Sequence, residues 1–160
     1  MEALLEIVDE ETEYFLERGK YGPSKNHSRL EELLDNQMIS KYESQYDTFA
    51  ELSLELPTER VTPHLTFYEH SPSDWLEDEI RVSKPPFGVI EIVLPKQSNQ
   101  DLIDKLDIYF GAGVKSCWVV IPTFKMINIF HSKHGYKTFM VGELHDEKLN
   151  IGLDMAAVFR

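Results

Sequence analysis

The chain has 160 residues, 42% of them apolar and 11% aromatic, and a formal net charge of −12. That apolar content suffices for a folded domain with its own core and excludes a disordered polar chain. The charge argues against a general nucleic-acid binder, whose affinity comes from Lys and Arg neutralising phosphates, although local patches outweigh the sum.

No basic, apolar leader opens the sequence: Arg18 and Lys20 are outnumbered by acids in "MEALLEIVDEETEYFLERGK". No apolar stretch approaches the roughly 18–20 residues that cross a bilayer. The expectation is a soluble, cytoplasmic protein with no membrane partner. The single cysteine, Cys117, leaves no internal disulfide and no cysteine-based zinc site. Its setting in "CWVVI" reads as a small buried core residue.

Leu4, Leu5, Val8, Phe15 and Leu16 among acids predict an amphipathic helix over residues 2–18. "YGPS" breaks it, and Ser24 is placed to cap a second helix through about Met38, with Leu30, Leu33 and Leu34 inward. The period then changes to two. In "YDTFAELSLEL", Ala50, Leu52, Leu54 and Leu56 share one face of a half-buried strand. "HLTFYEH" predicts a strand after Pro63, and a polar loop follows through "SPSDWLEDEIRVSKPP".

"GVIEIVLP" reads as a strand covered on both faces. "SNQDLIDKLDIYFGAG" predicts a helix capped by Ser98, with Leu102, Ile103, Leu106 and Phe110 at helical spacing and Gly111 or Gly113 as its stop. "VKSCWVVIP" predicts a further buried strand, and "KMINIF" and "YKTFMVG" form a hairpin across "HSKHG". "LNIGLDMAAVFR" ends in a short strand and a helical turn capped by Asp154. No repeat or composition break divides the chain, so residues 1–160 read as one domain: a helical extension over 1–22 and a core over 24–160. This α/β order predicts a central mixed β-sheet flanked by helices.

Glu91 stands out, because a carboxylate inside a buried strand is costly without compensation. The surrounding candidates are His64 after Pro63, Asp101 and Lys105 on the following helix, and Glu51 on the first strand. Closely held carboxylates bind a divalent cation, and a lysine polarises phosphate, which is what phosphodiester cleavage needs. Simpler accounts exist for most of them. Asp101 stands where it completes a helix cap and pairs with Lys105 at i,i+4. Glu51 alternates with Ser53 and Glu55 and suits a solvent face. A buried Glu–Lys pair would account for Glu91 itself. His131, His134 and His145 read as surface residues, and Asp74, Glu77, Asp78 and Glu79 as a solvated charge run.

"PPFGVIEIVLPKQSNQDLIDKLDIYFGAGVKSCWVVIP" resembles the Uma-type restriction endonuclease family, within the PD-(D/E)XK nuclease superfamily. The matching features are Pro63-His64 at a strand start, Glu91 to Pro95 at a strand end, and Asp101, Lys105 and Tyr109 on one helix. Ala112-Gly113-Val114 before Trp118 follows. "NHSRLEELL" and "TFAELSLEL" are similar to the family's early helix and first acidic strand, so the likeness spans about residues 24–131.

It implies a restriction-endonuclease-like core and a divalent metal, Mg²⁺ or Mn²⁺. Glu91 then matches the metal-binding glutamate, and Lys105 the helix lysine that replaces a strand lysine, whose place Val93 holds. Glu51 matches an additional acidic position. Two positions depart from the family: His64 stands where aspartate is expected, and Leu94 where serine is usual. Imidazole suits Mg²⁺ poorly but ligates Mn²⁺, Fe²⁺ or Zn²⁺. The resemblance implies a metal-dependent DNA endonuclease with metal at Glu91, His64 and Glu51 and catalysis by Glu91 and Lys105. The alternative is a catalytically degenerate binding or regulatory module, a homodimer through an apolar sheet edge or helix.

Overall fold

The computed structural model describes residues 24–160, so the helix expected over 2–18 lies outside the described residues. Helix α1 runs Lys25–Tyr42, and the Ser24 hydroxyl caps it by accepting the His27 N–H at 3.3 Å. Its buried face holds His27, Leu30, Leu33, Leu34 and Met38. The helix thus passes four residues beyond the expected end.

The strand expected over 46–56 is interrupted. Strand β1 covers Tyr46–Ala50, and Glu51 then takes the left-handed conformation, φ 53°. That turn sends β2 (Leu54–Glu55) into a separate two-stranded ribbon with β3 (Arg60–Val61). Leu54 and Leu56 are buried as expected, whereas Ala50 is exposed.

Strand β4 (Leu65–Glu69) follows Pro63, and the exposed segment 71–81 leads on toward β5 (Gly88–Ile92), every residue of which is buried. Helix α2 (Asn99–Gly111) is capped by Ser98, whose hydroxyl accepts the Asp101 N–H at 3.1 Å. It ends where Gly113 (φ 96°) lets Val114 N–H bond back to the Tyr109 carbonyl. Ile103, expected inward, is 39% exposed, and Tyr109 takes the buried position on that helix.

Strands β6 (Ser116–Ile121), β7 (Met126–Ser132) and β8 (Gly135–Phe139) come next. A ribbon of β9 (Glu143–Asp146) with β10 (Ile151–Asp154) then leads into α3 (Met155–Val158), capped by the Asp154 side chain on Ala156 N–H.

The six-stranded sheet has the order β1-β4-β5-β6-β7-β8. β5 and β6 pair in parallel and the other neighbours antiparallel, so the sheet is mixed. The parallel pair needs a crossover, and α2 supplies it. One core cluster joins Leu30, Leu34, Phe67, Ile90, Ile92 and Trp118 to the β9–β10 ribbon and α3. The other joins Val89, Leu106, Tyr109, Cys117 and Val119 to Leu54 and Leu56. Successive β5 side chains therefore alternate between two apolar layers.

A second buried carboxylate, Asp146, fastens the ribbon. It accepts bonds from Trp118 Nε1 (2.8 Å), His131 Nε2 (3.0 Å) and the N–H groups of Lys148 and Leu149. Burial alone would raise the Asp146 pKa, and these bonds hold it below the usual carboxylate range. His131, expected at the surface, is half-buried on this carboxylate, while His134 and His145 are exposed.

Candidate functional site

Alternation along β5 points Glu91 into the α2 layer, where it is 1% exposed. An ionised carboxylate there requires donors. Tyr109 donates its hydroxyl to Oε1, and Lys105 Nζ donates to Oε2 at 3.2 Å. Lys105 and Tyr109 are four apart on α2, so one face of the helix presents both groups.

Burial, then the charge of Glu91, pushes the Tyr109 hydroxyl well above its ordinary pKa, which keeps it a donor. The same two causes raise the Cys117 thiol, which is fully buried chemistry-free packing, as its sequence setting suggests. Lys105, with its side chain 32% exposed, stands between Glu91 and solvent.

His64 immediately precedes β4 and stands beside the end of β5, because Leu65 pairs with Ile90 in antiparallel register. The Ile92 N–H donates to His64 Nδ1 at 2.8 Å, and that nitrogen lies 3.5 Å from Glu91 Oε2. The His64 carbonyl accepts the Glu51 N–H at 3.0 Å, which ties the left-handed residue to the start of β4. From α1, the His27 ring meets the His64 ring edge-on, centroids 4.1 Å apart. Ligand atoms of His27, Glu51 and His64 all lie within 4.8 Å of one another.

His27 is buried, its Nδ1 is 3.8 Å from Glu31 Oε2, and neither ring nitrogen has a hydrogen-bond partner. Burial, then His64, lowers its pKa to about 4, against the pull of Glu91. Glu31 is pushed up to about 7 by burial and by the charge of Glu51, to which it hydrogen-bonds.

Of the residues singled out in the sequence, His64 and Lys105 each come within 3.5 Å of Glu91, and the exposed Glu51 lies beside His64. Lys105 turns to Glu91, and Asp101 stays exposed with its N–H on the Ser98 cap. His27 and Glu31 escaped the sequence reading, which took α1 for its leucines alone. The signal was there: His27 lies three and seven residues before Leu30 and Leu34, on the same buried face.

Among the described residues, no helix is long and apolar enough to cross a membrane. No curated protein matches the sequence. Five chains of solved structures do. One is the 1.96 Å crystal structure of "a putative nuclease belonging to DUF820 from Anabaena variabilis ATCC 29413", with a TM-score of 0.73 at 17% identity, over 89% of this chain and 87% of that one. At that identity the likeness concerns the fold alone, a central mixed sheet with flanking helices. The Uma2 family, described as "Putative restriction endonuclease", matches residues 6–153. With residues 6–153 matched by its model, the chain belongs to the Uma2 family.

Proposed function

We propose that the chain is a metal-dependent DNA endonuclease that hydrolyses phosphodiester bonds at the cluster around Glu91. One observation carries this reading: Lys105 bonds a buried carboxylate while a third of its side chain faces solvent. An ammonium has three donors, so those not used by Glu91 are available to a phosphate oxygen. Tyr109 and Lys105 fix the carboxylate, and His64 is fixed in turn by the Ile92 N–H.

Mg²⁺ demands a nearly octahedral set of oxygens and fits these residues poorly. An imidazole stands where a second carboxylate would be needed, and both Glu91 oxygens already accept hydrogen bonds. Mn²⁺, Fe²⁺ or Zn²⁺ fits better, because each accepts imidazole beside carboxylate. His64, Glu51 and Glu91 are the groups that would hold the ion. Its chemistry would be to polarise the phosphate and lower the pKa of bound water. The residues themselves position: Lys105 meets the phosphate, and the buried walls exclude bulk water from Glu91.

The saturation of Glu91 by Tyr109 and Lys105 also favours a second reading, a degenerate module that needs no metal. Plasmid cleavage separates the two. Wild type, His64→Asp and Glu91→Ala are compared with Mg²⁺ and with Mn²⁺. The endonuclease reading expects Mn²⁺-dependent nicking by wild type, loss of it in Glu91→Ala, and a gain with Mg²⁺ in His64→Asp. Cleavage by His64→Asp alone would sink that reading and establish the degenerate one.

A further inference from the structure

We propose that the cation is seated by His27, Glu51 and His64, with Glu91 orienting His64 from behind instead of binding the ion. The inference rests on the metal-dependent reading and narrows it: His27 enters the ligand set and Glu91 leaves it. The leading observation is His27. It is 1% exposed, yet neither ring nitrogen has a hydrogen-bond partner. A buried polar group without a partner is costly and rare in folded proteins. Its ring packs against that of His64, centroids 4.1 Å apart, so an ion bound beside the pair would engage the lone pair that the protein leaves unused.

The spacing suits this. Three atoms each about 2.0–2.2 Å from one ion and spread evenly round it lie about 3.5–3.8 Å apart. The three ligand atoms lie within 4.8 Å of one another, so the side chains close on an ion by drawing in by up to about 1 Å. Two imidazoles and one carboxylate leave positions open for water and a phosphate oxygen, and they select Mn²⁺, Fe²⁺ or Zn²⁺ over Mg²⁺.

Glu91 has a different part. Ligating histidines ordinarily donate the other ring N–H to a carboxylate. His64 Nδ1 faces both the Ile92 N–H, at 2.8 Å, and Glu91 Oε2, at 3.5 Å. Without an ion, Nδ1 accepts from Ile92. An ion on the other ring nitrogen would require the proton on Nδ1, with Glu91 Oε2 as its acceptor, and the His64 ring would have to turn off the Ile92 N–H to allow it.

The test is metal binding by the full chain after removal of metals with a chelator. Binding is followed by the visible absorption of added Co²⁺ and by calorimetry with Mn²⁺ and Mg²⁺, with circular dichroism as the check on folding. Expected are one equivalent of Mn²⁺ or Co²⁺ bound at least about tenfold tighter than Mg²⁺, and loss of that binding in His27→Leu and in Glu51→Gln. Glu91→Gln should keep one equivalent, weakened about 10–100-fold as for a residue acting through a ligand.

Absence of Mn²⁺ and Co²⁺ binding in wild type would overturn the proposal. So would binding lost in Glu91→Gln but retained in His27→Leu. If His27→Leu fails to fold, Glu91→Gln decides the matter, because Glu51 holds the ion in both ligand sets and Glu91 in only one. Metal binding without plasmid cleavage would refute the endonuclease reading and leave the cation site standing.

Discussion

At the scale of single residues, the site is a solution to two burial problems. Glu91 is a buried carboxylate, and its two oxygens are met by Tyr109 and Lys105. Hydrogen bonds to charged groups contribute about 1.5–3 kcal/mol. Tyr109→Phe should therefore lower the unfolding free energy by about that amount, read from the urea midpoint; an unchanged midpoint would contradict the role given to the hydroxyl.

His27 is the opposite case, a base that burial keeps neutral. Its pKa of about 4 lies below the ordinary 6.5, so between those values the unfolded chain binds a proton that the folded chain does not. On its own this makes stability rise with pH through that window. Glu31 has the reverse sign. With its pKa moved from 4.5 to about 7, the folded chain holds the extra proton, and stability falls as pH rises through that window. The two slopes oppose each other over most of their range. Glu31→Gln removes one of them, so its urea midpoint should climb from about pH 4 to 6.5 more steeply than that of wild type. Parallel curves would show that the two groups do not titrate as their surroundings dictate.

At the scale of elements, the interruption after β1 is the telling feature. The alternation of Ala50, Leu52, Leu54 and Leu56 suggests one strand, but alternation reports side-chain polarity and says nothing of the sign of φ. Glu51 sits at φ 53°, where a side chain costs about 1–2 kcal/mol and glycine very little. Strain of this kind gathers where function requires it. Glu51→Gly should keep or raise stability by up to about 1 kcal/mol while weakening Mn²⁺ binding. A stability loss with unchanged metal binding would make Glu51 merely structural.

Other elements were plainer in the sequence. β5 and β6 are apolar runs, and Ser24, Ser98 and Asp154 each cap a helix as their positions predict. β9 was not, since "ELHD" is short and half polar and gains its strand character only by pairing with β10. The site divides the same way. Glu91 was legible because a charge in an apolar strand is anomalous by itself. His27 and Glu31 were not, because a histidine on a helix face acquires meaning only when β4 brings His64 against it.

At the scale of the whole molecule, the sheet gathers the site at one end, where β4 starts and β5 stops, while two apolar layers hold the strands in register. The net charge of −12, summed over the whole chain, opposes a polyanion. Proteins that grip DNA by many phosphates lose affinity steeply with salt, the logarithmic slope being about −0.9 for each phosphate neutralised. Here Lys105 is the cation bonded to Glu91 at the site, so a cleavage reaction should depend on about one such contact. Raising salt also screens the repulsion, with a Debye length falling to about 8–10 Å near physiological strength. Both effects flatten the response. The rate of Mn²⁺-dependent nicking under limiting protein should change with salt at a logarithmic slope no steeper than about −1. A slope several times steeper would reveal a basic face that grips DNA away from Lys105, and would mean that the acidic total conceals a true nucleic-acid surface.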